Sequence, residues 1–121
     1  MPERRTLDVA LGERAYPIHI GDGVLGHAGE LLAPHLRQHA VIVTNATVAA
    51  HYLAPLRATL GERGVRTDIV LIPDGEAHKN MSTLADVLTR LIECHAEPRA
   101  LLLALGGGVV GDLAGFAAAI Y

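Results

Sequence analysis

The run from Ala100 to Tyr121 constrains this chain more than any other feature. It carries a single charge, Asp112, and is long enough to cross a bilayer. Gly106, Gly107, Gly108, Gly111 and Gly115 argue against that use. Three adjacent glycines inside one helix would cost about 1 kcal/mol each relative to alanine. A buried strand over 100–105, a glycine turn and a buried helix from Val109 onward explain the run without a membrane.

A strand that is apolar on both sides must be covered on both faces, and the upstream sequence supplies the cover. Thr6 to Leu11 alternates apolar and polar, Gly12-Glu13-Arg14 reads as a turn, and Tyr16, Ile18 and Ile20 alternate again. The pattern predicts a hairpin, closed by Gly21-Asp22-Gly23. Val24 to Arg37 is expected to be a helix with Leu25, Ala28, Leu31, Leu32 and Leu36 on one face. Residues 40–44 form a short buried strand, after which Asn45 or Thr47 can cap a helix. Pro55 is expected to kink or restart that helix near Ala54, and Gly61 and Gly64 close it. Residues 65–72 form the next strand, and Pro73-Asp74-Gly75 turns the chain. Asn80 or Ser82 starts a helix with Leu84, Val87, Leu88, Leu91 and Ile92 as its stripe, and Pro98 precedes the last strand.

After the hairpin the order is therefore α, β, α, β, α, β, α. That order predicts a Rossmann-like α/β fold: a parallel sheet with helices on both faces and a β-hairpin at its N-terminal end. There is no internal repeat and no low-complexity linker. The close at Phe116 to Tyr121 is apolar helix without cap or glycine stop, so the expectation is a truncated domain.

Charge and composition exclude several classes. The net charge of −3 and the 3% aromatic content give no basic face or stacking platform for nucleic acid. The single cysteine, Cys94, permits no disulfide within the chain and fits a reducing compartment. Met1 to Thr6 leads into no apolar run, so no signal peptide is expected.

The strongest chemical signal is Gly106-Gly107-Gly108-Val109-Val110-Gly111-Asp112, where a buried strand gives way to a helix. Bare glycine backbone lets the chain approach a diphosphate, and the first N–H groups of the helix receive the anion. Residues 106, 108 and 111 match G-x-G-x-x-G, a weak signal alone, because here it follows the fifth strand rather than the first. A tight strand-to-helix turn would use the same glycines. Asp112 suits a ribose or nicotinamide hydrogen bond or a cation, and would repel a phosphate; as a bland alternative it steadies the helix start. The second cluster, Asp74-Gly75-Glu76-Ala77-His78-Lys79, also sits at a strand's C-terminal end. Glu76 can grip a sugar diol and Lys79 a phosphate or ribose hydroxyl, although a lone charged loop is usually only solvated. Asn45 and Thr47, at a third strand end, can reach an adenosine or simply cap their helix. His35 and His39 stand at i, i+4 without a third ligand and read as a solvated helix end. Cys94-His95 likewise lacks metal-site partners, and no acyl-transfer triad is evident.

In order and spacing these blocks resemble the 3-dehydroquinate synthase family. The matching residues are Tyr16-Pro17-Ile18-His19-Ile20-Gly21-Asp22-Gly23, Val43-Thr44-Asn45, Pro73-Asp74-Gly75-Glu76 with Lys79, and Leu103 through Phe116 around the glycines. Asn80 departs from the family's usual small hydroxyl residue but can also cap a helix. Related polyol and alcohol dehydrogenases resemble G-G-G-S-x-x-D-x-x-K; Val109 replaces that serine and Gly115 that lysine.

The resemblance implies that residues 1–121 are an incomplete NAD-binding N-terminal domain, with a helical metal-binding domain to follow. It implies a lyase of the shikimate pathway that converts 3-deoxy-arabino-heptulosonate 7-phosphate to 3-dehydroquinate and phosphate. NAD is used catalytically, with a divalent metal, zinc or cobalt. NAD contacts map onto Asn45, Thr47, Asp74, Gly75, Glu76, Ala77, His78, Lys79, Gly107, Gly108, Val109, Val110, Gly111 and Asp112. No catalytic residue and no ligand of the family's metal is expected within this chain. The sugar phosphate is the expected partner, in a cytoplasmic enzyme that is a homodimer at full length, with no nucleic acid and no membrane.

Overall fold

The computed structural model describes residues 4–121; the reading of Met1 to Glu3 lies outside them. Two strands, β1 (Arg5–Val9) and β2 (Tyr16–Ile20), form an antiparallel hairpin with Leu7 opposite Ile18 and Val9 opposite Tyr16. Three more strands, β3 (His39–Thr44), β4 (Arg66–Leu71) and β5 (Leu101–Ala104), form a parallel sheet in the order β4-β3-β5. Every residue of the central β3 is buried, which is why Ala40 to Val43 are continuously apolar and the polar ends, His39 and Thr44, are each hydrogen-bonded. The edge strand β4 admits Thr67 and Asp68.

The helices follow from this strand order. From β3 the chain passes through α2 (Ala46–Gly61) to β4 on one side; through α3 (Met81–Glu93) it then returns past β3 to β5 on the other. Right-handed crossovers running in opposite directions place their helices on opposite faces of the sheet. Two apolar clusters result. Ala40, Ile42, Leu56, Leu60 and Val65 pack with Ala28 of the short α1 (Ala28–Leu31) on one face. Val41, Val43, Val70, Leu84, Val87 and Leu91 pack with Val110, Leu113 and Ala117 of α4 (Gly108–Ile120) on the other. The alternation along β3, even residues to one cluster and odd to the other, is the period of a pleated strand.

Four expectations are corrected. The segment 24–37 is not one helix: it is a 3-10 turn (Val24–His27), the single turn α1, and a second 3-10 turn at Ala33–His35. Pro34 cannot donate a backbone bond, so the helix does not propagate through it. By contrast α2 runs unbroken through Pro55. The carbonyl left without its donor is that of the exposed His51, which water can satisfy, and Leu56 and Leu60 hold the far half of the helix to the core. His39 is no helix end but the buried first residue of β3. Ile92 falls off the buried stripe of α3 and is exposed, while Thr83 is buried in its place.

No described helix is long and apolar enough to cross a membrane. The run that opened the question divides into β5, a glycine turn and the 13-residue α4.

Candidate nucleotide site

The reversal of strand order at β3 opens a crevice at the C-terminal ends of the strands, the usual ligand position in an open α/β sheet. The turns after β4 and β5 flank β3 and converge over its end. Asn45, Pro73, Asp74, Gly75, Gly107, Gly108, Val109 and Val110 line a cavity of about 140 Å³ there. Thr44 closes the floor by donating its fully buried hydroxyl to the Leu105 carbonyl at 2.7 Å, and Leu105 N–H bonds Val43 O at 2.9 Å.

Backbone detail explains each glycine. Gly106 has φ +154°, and a Cβ there would lie 2.9 Å from Val110 Cγ2, so the turn needs glycine for packing. A Cβ on Gly107 or Gly108 would meet nothing within 4 Å; there the missing side chains leave open space at the mouth. Gly107 is the N-cap of α4 and no side chain caps this helix. The N–H groups of Gly108, Val109 and Val110 thus have no intrahelical acceptor and stand free at the positive end of the helix dipole. The other two long helices are closed by their own caps: Asn45 accepts from Val48 N–H and Asn80 from Thr83 N–H, each at 2.9 Å.

The charged side chains are arranged in two holds. Asp74 receives Thr47 Oγ1 at 3.2 Å and Asn45 Nδ2 at 3.5 Å. Asn45 therefore caps α2 and positions Asp74 at once, while Thr47 is not a cap. Lys79 Nζ lies 2.7 Å from Asp112 Oδ2 and 3.5 Å from Glu76 Oε1, joining the 74–79 loop to the glycine turn. The Asp112 hydrogen bond and charge, followed by the Glu76 charge, raise the Lys79 pKa above its ordinary value of 10.5.

The structure thus brings Asn45, Asp74, Gly75, Gly107, Gly108 and Val109 around one cavity, with Thr47 held on Asp74, while Lys79 and Asp112, with Glu76 on Lys79, line a separate pocket beside Met81 and Phe116. Val110 offers only its backbone, since its side chain is buried in the core. Gly111 offers less than expected, because its N–H is spent on Gly107 O at 3.0 Å. Ala77 and His78 are exposed on a 3-10 turn, Glu76–His78, beside the mouth. Sequence reasoning passed over the floor residue Thr44 and the wall residue Pro73, although both lie inside the family-like blocks.

The residues fit a dinucleotide in part. A cavity of 140 Å³ is below the roughly 300–1,000 Å³ of sites that enclose a whole ligand. It suits a diphosphate, and its three free amides are the right donors. Among the described residues, no group of three metal-ligand side chains lies at this mouth.

The class that fold and site define is an open parallel α/β unit with a ligand crevice where the strand order reverses. A 2-deoxy-scyllo-inosose synthase complexed with carbaglucose-6-phosphate, NAD+ and Co2+ superposes with a TM-score of 0.83 at 22% identity, over 96% of this chain and 32% of that one. A 2-epi-5-epi-valiolone synthase from Streptomyces hygroscopicus subsp. jinggangensis, with NAD+ and Zn2+ bound, gives 0.68 at 34% identity, over 74% and 25%. The family model for the 3-dehydroquinate synthase N-terminal region matches residues 69–121. The 3-dehydroquinate synthases of Laribacter hongkongensis and Rhodospirillum rubrum are 55% and 57% identical over 96% and 94% of this chain. The chain is thus similar to 3-dehydroquinate synthases and spans about a third of the length of these relatives, 32% and 30%.

Proposed function

We propose that this chain is the NAD-holding portion of a 3-dehydroquinate synthase, converting 3-deoxy-arabino-heptulosonate 7-phosphate to 3-dehydroquinate and phosphate in the shikimate pathway. The observation that carries the reading is the uncapped start of α4, with open space at Gly107 and Gly108, facing Asp74 across the end of β3. When bound, NAD supplies the hydride acceptor that lets a redox-neutral elimination pass through a ketone.

The roles of the chain's own residues follow from placement. The Gly108, Val109 and Val110 amides hold the diphosphate. Asp74, fixed by Asn45 and Thr47, accepts from a ribose hydroxyl. Lys79 neutralises Asp112 and Glu76 and keeps the carboxylates from repelling the anion across the mouth. Glu76 and Asp112 lie where sugar or nicotinamide groups would extend beyond the small cavity. The divalent metal, zinc or cobalt, is assigned to residues outside this mouth. Homodimerisation and a cytoplasmic setting belong to the same reading. The 121-residue chain by itself is expected to turn over no substrate.

The test is an amide NMR titration of the purified chain with NAD. The largest shifts are expected at Gly107 to Val110 and at Asp74 to Gly75. Saturation without movement of those amides overturns the reading, as does product formation by this chain alone.

A further inference from the structure

Three side chains far apart in sequence meet on the α3 face of the sheet, toward the strand ends opposite the glycine mouth. His39 opens β3, Asp68 stands in β4 in register with Val41, and Cys94 caps α3. His39 Nε2 lies 2.7 Å from Asp68 Oδ2. One ligand-type atom from each of His39, Asp68 and Cys94 falls within 4.8 Å of the others.

The three are held by structure rather than by chance. His39 and Cys94 are each only 9% exposed. Cys94 is fixed by the end of its helix: its N–H bonds Arg90 O at 3.0 Å, His95 takes the left-handed conformation at φ +57°, and Ala96 N–H returns to Leu91 O at 3.0 Å. That closure is the six-to-one bond of a Schellman motif, made here without glycine.

We propose that His39, Asp68 and Cys94 form a binding site for a thiophilic divalent cation, zinc above all, with water as fourth ligand. The donor set is one imidazole, one carboxylate and one thiol, which suits zinc and disfavours magnesium and calcium. Zinc bond lengths of about 2.0–2.3 Å place tetrahedral ligand atoms roughly 3.3–3.7 Å apart. Small side-chain rotations from the present spacing reach that arrangement. Binding displaces the Cys94 thiol proton to solvent and leaves neutral His39 with its ring proton on Nδ1, so that Nε2 and the Asp68 carboxylate both face the metal. Such an ion would pin the edge strand β4 and the end of α3 to β3. It lies away from the glycine mouth and does not depend on the NAD reading. In sequence His39 stands near only His35, and Cys94 near only His95, and neither neighbour makes a metal site; Asp68 joins His39 and Cys94 only through strand register.

The probe is cobalt(II) added to the reduced, metal-free chain, read by thiolate-to-cobalt charge-transfer absorption and competed with zinc. The band is expected to saturate at one equivalent, to be bleached by zinc, and to vanish in Cys94→Ser. Asp68→Asn, nearly isosteric, is expected to weaken cobalt binding by more than about tenfold, since a carboxylate ligand becomes a neutral amide. Zinc is also expected to raise the unfolding midpoint of the unmutated chain. Histidines elsewhere on the surface can bind cobalt but cannot give the band. Absence of the band at saturating cobalt overturns the proposal, as does unchanged affinity in Asp68→Asn. Either result leaves a plain His–Asp hydrogen bond beside a packed thiol. Should Cys94→Ser fail to fold, the band in the unmutated chain and the Asp68→Asn affinity still decide.

Discussion

Gly106→Ala is predicted to unfold this chain well before it affects any ligand. At φ +154° an L side chain is strained, at a cost of about 1–3 kcal/mol. The new Cβ would also stand 2.9 Å from Val110 Cγ2 and 3.1 Å from Val110 Cβ. Val110 is 2% exposed and belongs to the cluster of Leu113 and Ala114, so it has little room to retreat. Overpacking of this kind costs about 1–3 kcal/mol more. Taking about 3 kcal/mol together, and an unfolding entropy of about 2.1 cal/mol/K per residue, the midpoint of thermal unfolding should fall by about 12 °C. Gly107→Ala is the matched control: it has a negative φ of −89° and no atom within 4 Å of the new Cβ. Its midpoint should move by less than about 3 °C, within the usual half kcal/mol of an unobstructed substitution. Its added methyl points into open space at the mouth, so NAD binding should weaken. Circular dichroism melts of the two variants check the contrast. Equal midpoints would refute the packing argument for Gly106, and a large loss in Gly107→Ala would refute the assignment of open space.

Asn45→Ala and Asn80→Ala each remove a helix cap and should each cost about 1 kcal/mol in urea unfolding. Of the two, Asn45→Ala alone should also weaken NAD binding by calorimetry, because Asn45, unlike Asn80, helps to hold Asp74. Leu60→Ala, at a fully buried position of α2, should cost about 2–5 kcal/mol by the same unfolding assay. The raised pKa of Lys79 predicts an NMR titration midpoint above 10.5, returning toward 10.5 in Asp112→Asn. The stability from this contact is complete below about pH 10.5 and is lost as pH rises through the higher folded value.

Much of the fold was legible in the sequence because strands and helices announce themselves by period. The continuous run over 40–44 is a central strand, and the stripe at Leu84, Val87 and Leu91 is a helix face. The glycine cluster marked the mouth because exposed glycine amides at a helix start have one obvious chemical use. Proline deceived in both directions. Pro34 ended a helix that the apolar pattern would have continued, and Pro55 did not end one that local rules would have broken. The outcome depends on whether the stranded carbonyl meets water and whether the next turn is anchored, and neither is written locally.

By itself, then, the sequence determined the five strands and the helices after 45, 80 and 107, though not the broken segment 24–37, and which backbone is bare enough to receive an anion. Tertiary structure alone decided the strand order β4-β3-β5, the meeting of Lys79 with Asp112 and of Asn45 with Asp74, and the gathering of His39, Asp68 and Cys94. The physical reason is range. Periodicity and turn chemistry act over a few residues. Pairings between side chains about 30 positions apart are fixed by register and crossover direction, which the whole packed core selects.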